Sequence, residues 1–281
     1  MSTHHRDRYI YGTLLLVGVL LILWLDVAVE ATYGFLGLST LFGVVSWIEF
    51  RRMAGSRIGL FTWLGSAVLA AALIGEWWFC ADPSRDGRLG FWTGFAVAMP
   101  LLSVLCSLRS TPSRQRAVEI AVAALGVVYL AVPLMLFLRL RHVDGGQWWV
   151  MLAVLVVKSN DIGGYLTGRR FGRTPLSAIS PKKTVEGAVG GLLLGIGTSI
   201  GVYALLLSGD GSLPIGRLAA LGALTGIAGQ TGDLAESFFK RAFGVKDSGA
   251  LVPAFGGTLD MIDSVLFGAP MVYLAKTALE L

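Results

Sequence analysis

Apolar residues run along this chain in long blocks separated by short polar segments. About nine blocks are long enough to cross a bilayer as helices, which takes roughly 20 residues each. They fall at about 9–25, 32–50, 58–80, 89–108, 116–138, 147–168, 184–207, 215–233 and 253–275. The blocks do not alternate apolar with polar positions, so they predict helices rather than barrel strands. The first block follows His4, His5, Arg6 and Arg8 and resembles a signal peptide in its flank. A second block follows at once and the small-residue site near Ala28 is weak, so an uncleaved first helix is expected. The fold expected is therefore all-α: a polytopic integral membrane protein with about nine transmembrane helices.

Charge orients this pattern. With the N-terminus in the cytoplasm and strict alternation, the cytoplasmic side receives Arg51, Arg52 and Arg57, then Arg109, Arg114 and Arg116. It also receives the cluster from Arg169 to Lys183, and Lys240, Arg241 and Lys246. The opposite side keeps few cations, chiefly Arg85, Arg88, Arg139 and Arg141. That bias predicts a cytoplasmic N-terminus, in a protein of the inner membrane whose active site faces the cytoplasm. Composition agrees. Of 281 residues, 54% are hydrophobic and only 15% charged, where a soluble domain carries roughly 25%. A soluble globular enzyme and a disordered chain are thereby disfavoured. The net charge of +5 records topology and attraction to anionic lipid, not nucleic acid. Cys80 and Cys106 have no metal-ligand spacing and read as packing residues.

The chain divides by content. Residues 1–150 keep polar groups in short loops and read as a lipid-facing scaffold; residues 151–281 place charges at or inside the membrane and read as the catalytic region. An ionisable residue within a span is costly and is read as functional by default. Lys158 and Asp161 share a helix face within the sixth block, as a self-neutralising pair or a polar cavity wall. In Ser180-Pro181-Lys182-Lys183-Thr184-Val185-Glu186-Gly187, Pro181 and Thr184 suit a helix start with Glu186 in its first turn. The paired lysines make an anion site there, or only a signal that holds the loop inside. Gly187, Gly191, Gly195, Gly197 and Gly201 predict close helix packing. Near the C-terminal end, Asp233, Ser237, Lys240 and Arg241 follow a helical period, Lys246 and Asp247 follow Gly244, and Asp260 and Asp263 lie one turn apart. Two carboxylates so close either hold a cation, for which Mg²⁺ is suited, or cap and complement the helix start. Acids for a metal and cations for phosphate oxygens, near a cytoplasmic face, describe phosphate chemistry. No Ser-His-Asp set and no Walker-type loop is present.

These residues also carry a resemblance. The run Ser237-x-x-Lys240-Arg241, Lys246-Asp247, Pro253-x-Phe255-Gly256-Gly257-x2-Asp260-x2-Asp263 resembles the signature of the phosphatidate cytidylyltransferase (CDP-diacylglycerol synthase) family. Asp161-Ile162-Gly163-Gly164-Tyr165 with Gly168-Arg169-Arg170-Phe171-Gly172, and the Ser180–Gly187 segment, are similar to two further motifs of that family, in order. The chain departs from the signature at Phe255, where the family usually has His, and at Met261, where it usually has Arg. The resemblance implies transfer of a cytidylyl group from CTP to phosphatidic acid at the membrane. It implies Mg²⁺ on Asp260 and Asp263 with Asp233, catalytic roles for Lys240, Arg241, Ser237 and Asp247, and substrate contacts from Lys182, Lys183, Lys246, Asp161, Glu186, Gly256 and Gly257. A monovalent cation and a homodimer are suggested by the family alone. The alternatives are a CTP-dependent lipid-alcohol kinase, an ion-coupled secondary transporter, and a catalytically silent relative.

Overall fold

The computed structural model describes residues 18, 21–55, 60–82, 84–107, 113–207, 213–249 and 256–279. Eight helices are delimited: α1 (Tyr33–Met53), α2 (Leu60–Ala81), α3 (Arg88–Ser107), α4 (Arg114–Arg141), α5 (Gly146–Phe171), α6 (Val185–Leu206), α7 (Ile215–Ala242) and α8 (Thr258–Ala278). They coincide with the second to ninth expected blocks. The first block, 9–25, lies largely outside the described residues. Among the described helices, α1, α2, α4, α5, α6 and α8 are long and apolar enough to cross a membrane. The chain is a polytopic, all-helical membrane protein.

One expected boundary moves. Helix α7 continues to Ala242 rather than ending near residue 233. Hydropathy marks where charges appear, whereas a helix ends where its backbone is capped. Here Gly244 adopts φ +72° and the Val245 amide donates to the Lys240 carbonyl at 2.9 Å, a Schellman-type stop. The extra turns carry Glu236 and Lys240.

The chain groups into two compact units, residues 1–139 with 247–259, and residues 140–246 with 260–281. In the first unit, Trp47 and Phe50 of α1 are fully buried, and Phe50 stacks between Trp47 and Tyr129 with centroids 6.5 and 6.2 Å away. Gly65 and Gly126 leave the space these rings fill; a methyl at either would fall within 2.6 Å of ring carbon. The Trp47 indole donates to the Thr62 carbonyl at 2.9 Å, satisfying a buried N–H. The wholly buried Glu76 is neutralised by an ion pair with Arg139.

In the second unit, helices adjacent in sequence pack antiparallel through glycine. On α5 and α6, Gly163 faces Gly190 and Gly191, and Gly187 faces the Gly164 carbonyl. On α6 and α7, Gly222 approaches Ile196 and Ser199; on α7 and α8, Gly232 meets the Asp263 carbonyl. Absent side chains let backbones touch, which supplies dispersion contacts that lipid cannot outcompete. Gly187, Gly191 and Gly195 are buried in this seam as expected. Gly197 and Gly201 are not part of it, because nothing lies within 4 Å of where their Cβ would be. They sit off the face that the 187–191–195 series defines. Asn160, 1% exposed, cross-links three helices: its carboxamide oxygen accepts from Gln230 at 3.0 Å, and Gln230 also donates to the Ala188 carbonyl at 3.0 Å.

Candidate functional site

The second unit gathers its charges at one place. Helix α7 contributes Asp233, Glu236 and Lys240, which fall at i, i+3 and i+7 and so share a face. Helix α8 runs antiparallel beside it and presents Asp260 and Asp263. One carboxylate oxygen from each of Asp233, Glu236 and Asp263 lies within 4.8 Å of the other two. Glu236 and Asp263 are buried, at 0% and 7% exposure, and Asp233 is half-buried. Asp263 is oriented by Ser264, whose amide and hydroxyl donate to it at 2.5 and 3.2 Å.

Cations surround these acids. Lys240 Nζ lies 2.5 Å from Glu236 and 2.7 Å from Asp260. Asp260 thus faces the ammonium, and Glu236, not Asp260, joins Asp233 and Asp263 in the triad. Lys183 pairs with Asp233. Lys158 on α5 lies 3.5 Å from Asp161 and donates to the Met261 carbonyl at 3.4 Å. Asp161 interacts electrostatically with Asp233 and Lys183, and Asp263 with Lys158 and Asp161. Three carboxylates inside an apolar protein repel strongly unless a positive charge lies among them. The donor set is oxygen only, which suits a hard divalent cation.

The loop carrying Lys182 and Lys183 is built by local hydrogen bonds. Thr184 caps α6, its hydroxyl accepting from the Gly187 amide at 3.1 Å. Glu186 in the first turn accepts from the Arg173 and Thr174 amides at 3.1 and 3.2 Å and from the Thr174 hydroxyl at 3.0 Å. An antiparallel bridge joins Pro175 and Thr184. The helix start read from the sequence is therefore present, and Glu186 is committed to holding the loop. Lys183 reaches the acids while Lys182 is exposed.

Other expected site residues are placed as follows. Ser237 is half-buried on α7 next to Glu236. Arg241 is exposed and its guanidinium donates to the Val245 carbonyl at 3.5 Å. Lys246 and Asp247 are exposed. In the other unit, Gly256 adopts φ +90°. Gly257 is buried where a Cβ would meet the Ser248 hydroxyl at 2.1 Å and Glu49 at 2.7 Å. Phe255 lies outside the described residues. Two acids at these places were not singled out in the sequence. Glu236 carried a usable signal, being one turn from Asp233 and one from Lys240. Glu49 carried none.

Fold and site together define a class: a multi-pass helical membrane protein with a buried cluster of carboxylates, bridged and flanked by lysines. The cytidylyltransferase family model matches residues 6–279, and the chain belongs to that family. It is 39% identical over 155 residues to a phosphatidate cytidylyltransferase of Staphylococcus haemolyticus, covering 55% of this chain and 58% of that one. It is 37% identical over 155 residues to the Staphylococcus aureus (strain COL) protein of the same name, with the same coverage. With the Synechocystis protein of that name it shares 46% over 129 residues, 44% of this chain and 41% of that one. The chain thus spans about half the length of the curated relatives it matches.

Proposed function

We propose that this protein transfers the cytidylyl group of CTP to phosphatidic acid, releasing pyrophosphate and forming CDP-diacylglycerol for phospholipid synthesis. The observation that carries this reading is the acidic triad of Asp233, Glu236 and Asp263 with Lys183 and Lys240 against it, within an apolar helical body. The relatives' shared name supports the same chemistry. Two polyanions must meet in this reaction. An oxygen of the lipid phosphate monoester attacks the α-phosphorus of CTP, the bond to the bridging oxygen of the β-phosphate breaks, and pyrophosphate departs with that electron pair. The monoester is ionised near neutral pH, so the chain need supply no strong base.

The triad would hold a divalent cation, for which we propose Mg²⁺, with Asp161 near it. Such a cation, when bound, neutralises nucleotide phosphates and stabilises the departing oxygen. Lys240, held by Glu236 and Asp260, presents a fixed ammonium to phosphate oxygens rather than a mobile one. Lys183 and Lys182, with Lys246 and Arg241, supply positive charge for the triphosphate and lipid headgroup. Ser237 completes the substrate contacts of this unit in this reading, and Glu186 serves them by shaping the lysine loop; Asp247, Gly256 and Gly257, in the other unit, are proposed as substrate residues from the family signature alone. The site would face the cytoplasm, where CTP is, in line with the charge bias of the loops. A homodimer and an accompanying monovalent cation belong to the same proposal.

The test is pyrophosphate release by purified protein given CTP, phosphatidic acid and Mg²⁺. Asp263→Asn should abolish it while leaving the protein folded, judged by its elution and melting profile. Wild-type turnover in that variant rules out the metal assignment. Phosphorylation of a polyprenol or phytol by CTP, with no turnover of phosphatidic acid, would make the protein a lipid-alcohol kinase instead.

A further inference from the structure

We propose that Glu49, on helix α1, is a positioning residue for the reaction proposed above: it fixes the start of the helix that carries Asp260 and Asp263. The inference rests on that functional reading, but its geometry stands apart from it. The first N–H groups of any helix lack an intrahelical acceptor, and a buried one needs a partner from elsewhere. Helix α8 begins at Thr258 in a buried place; Thr258 and Leu259 are 3% and 0% exposed. Their amides both donate to the Glu49 carboxylate, at 2.9 Å each, one to each oxygen. The Ser248 hydroxyl donates to the same carboxylate at 3.4 Å.

The surroundings are shaped to admit this side chain. Glu49 is 4% exposed. A Cβ at Gly249 would fall 2.7 Å from its Oε1, and one at Gly257 would fall 2.7 Å from its Oε2. Both positions are glycine, so the carboxylate reaches the helix end unobstructed. A carboxylate at this end also complements the helix dipole. A buried acid fixed by two backbone amides 209 and 210 residues away is a costly arrangement that specifies one placement of the α8 terminus. Asp260 follows Leu259 directly, and Asp263 is one turn further. Loosening the cap frees the first turn, which carries Asp260, and with it the footing of the next turn, which carries Asp263 of the triad; a metal site tolerates little displacement of its ligands.

The experiment compares wild type with Glu49→Gln, which keeps the shape but leaves one acceptor oxygen and sets an NH₂ against the other amide. Two readouts need neither CTP nor lipid: hydrogen exchange over residues 256–263 by mass spectrometry, and Mn²⁺ affinity of the purified protein by electron paramagnetic resonance. Losing a charge-assisted hydrogen bond predicts exchange faster by about tenfold or more, and Mn²⁺ binding weaker by about tenfold. A purely structural role would lower the melting temperature and leave Mn²⁺ affinity unchanged, which overturns the proposal. Ser248→Ala, which removes only the hydroxyl donor, should move both readouts the same way by a smaller factor. If Glu49→Gln does not fold, Ser248→Ala decides, and unchanged exchange and affinity in it overturn the proposal. Absence of CTP turnover in wild type would sink the proposed reaction alone, since neither readout depends on it.

Discussion

Lys240→Met isolates the electrostatics of the site. Methionine keeps the length and apolar stem of lysine and removes the ammonium. In the protein that ammonium lies 2.5 Å from Glu236 and 2.7 Å from Asp260, with the three side chains only 14%, 1% and 12% exposed. Little solvent is available to screen what remains. Taking one partner from a buried ion pair costs about 3–5 kcal/mol, because the other charge is left uncompensated. Two acids lose the same ammonium at once here, so a loss at the upper end of that range is expected. The second arm neutralises one acid. Glu236→Gln in the Lys240→Met background removes one of the two acids facing the lost ammonium and should recover about 0.5–3 kcal/mol, the range of coupling found for groups in contact. The assay is a double-mutant cycle of unfolding free energies in a fixed detergent or bicelle. Turnover should be absent in both variants, which separates stability from chemistry. A Lys240→Met protein as stable as wild type, or a double variant no more stable than the single one, would refute the claim that Lys240 bridges buried acids.

Two further outcomes follow from the packing and the donor set. Gly191→Ala should destabilise the protein by about 1–3 kcal/mol, because its methyl would lie 2.6 Å from the Asn160 carbonyl, whereas Gly197→Ala should be neutral, nothing lying within 4 Å there; melting temperatures compare them. Chelation should abolish CTP turnover, and added Mg²⁺ should restore it; turnover that persists in excess chelator would remove the cation from the proposal.

Much of this protein was legible in the order of its residues. Apolar blocks of bilayer length dictate helices, because no other open structure satisfies its backbone in lipid. The Thr184 cap is local, set within a few residues, and so could be read in place; the stop at Gly244 is as local, yet the apolar block alone ends that helix near residue 233. The 187–191–195 glycine face could be read in place too, a matter of helical period. Even the concentration of acid and base in the second half was apparent, since charge in an apolar stretch stands out.

The partner of each charge was decided only by packing. Asp260 and Asp263 look equivalent along the chain, one turn apart on one helix. Antiparallel docking of α7 against α8 gives Asp260 to Lys240 and Asp263 to Asp233 and Glu236. Gly197 and Gly201 looked like seam residues until the seam's face was fixed. Glu49 is the limiting case, a single acid in an apolar helix whose amide partners come about two hundred residues later. Periodicity and capping act over one or two turns, so a sequence displays them directly. The meeting of side chains from different helices depends on how those helices pack, and that is a property of the folded chain as a whole.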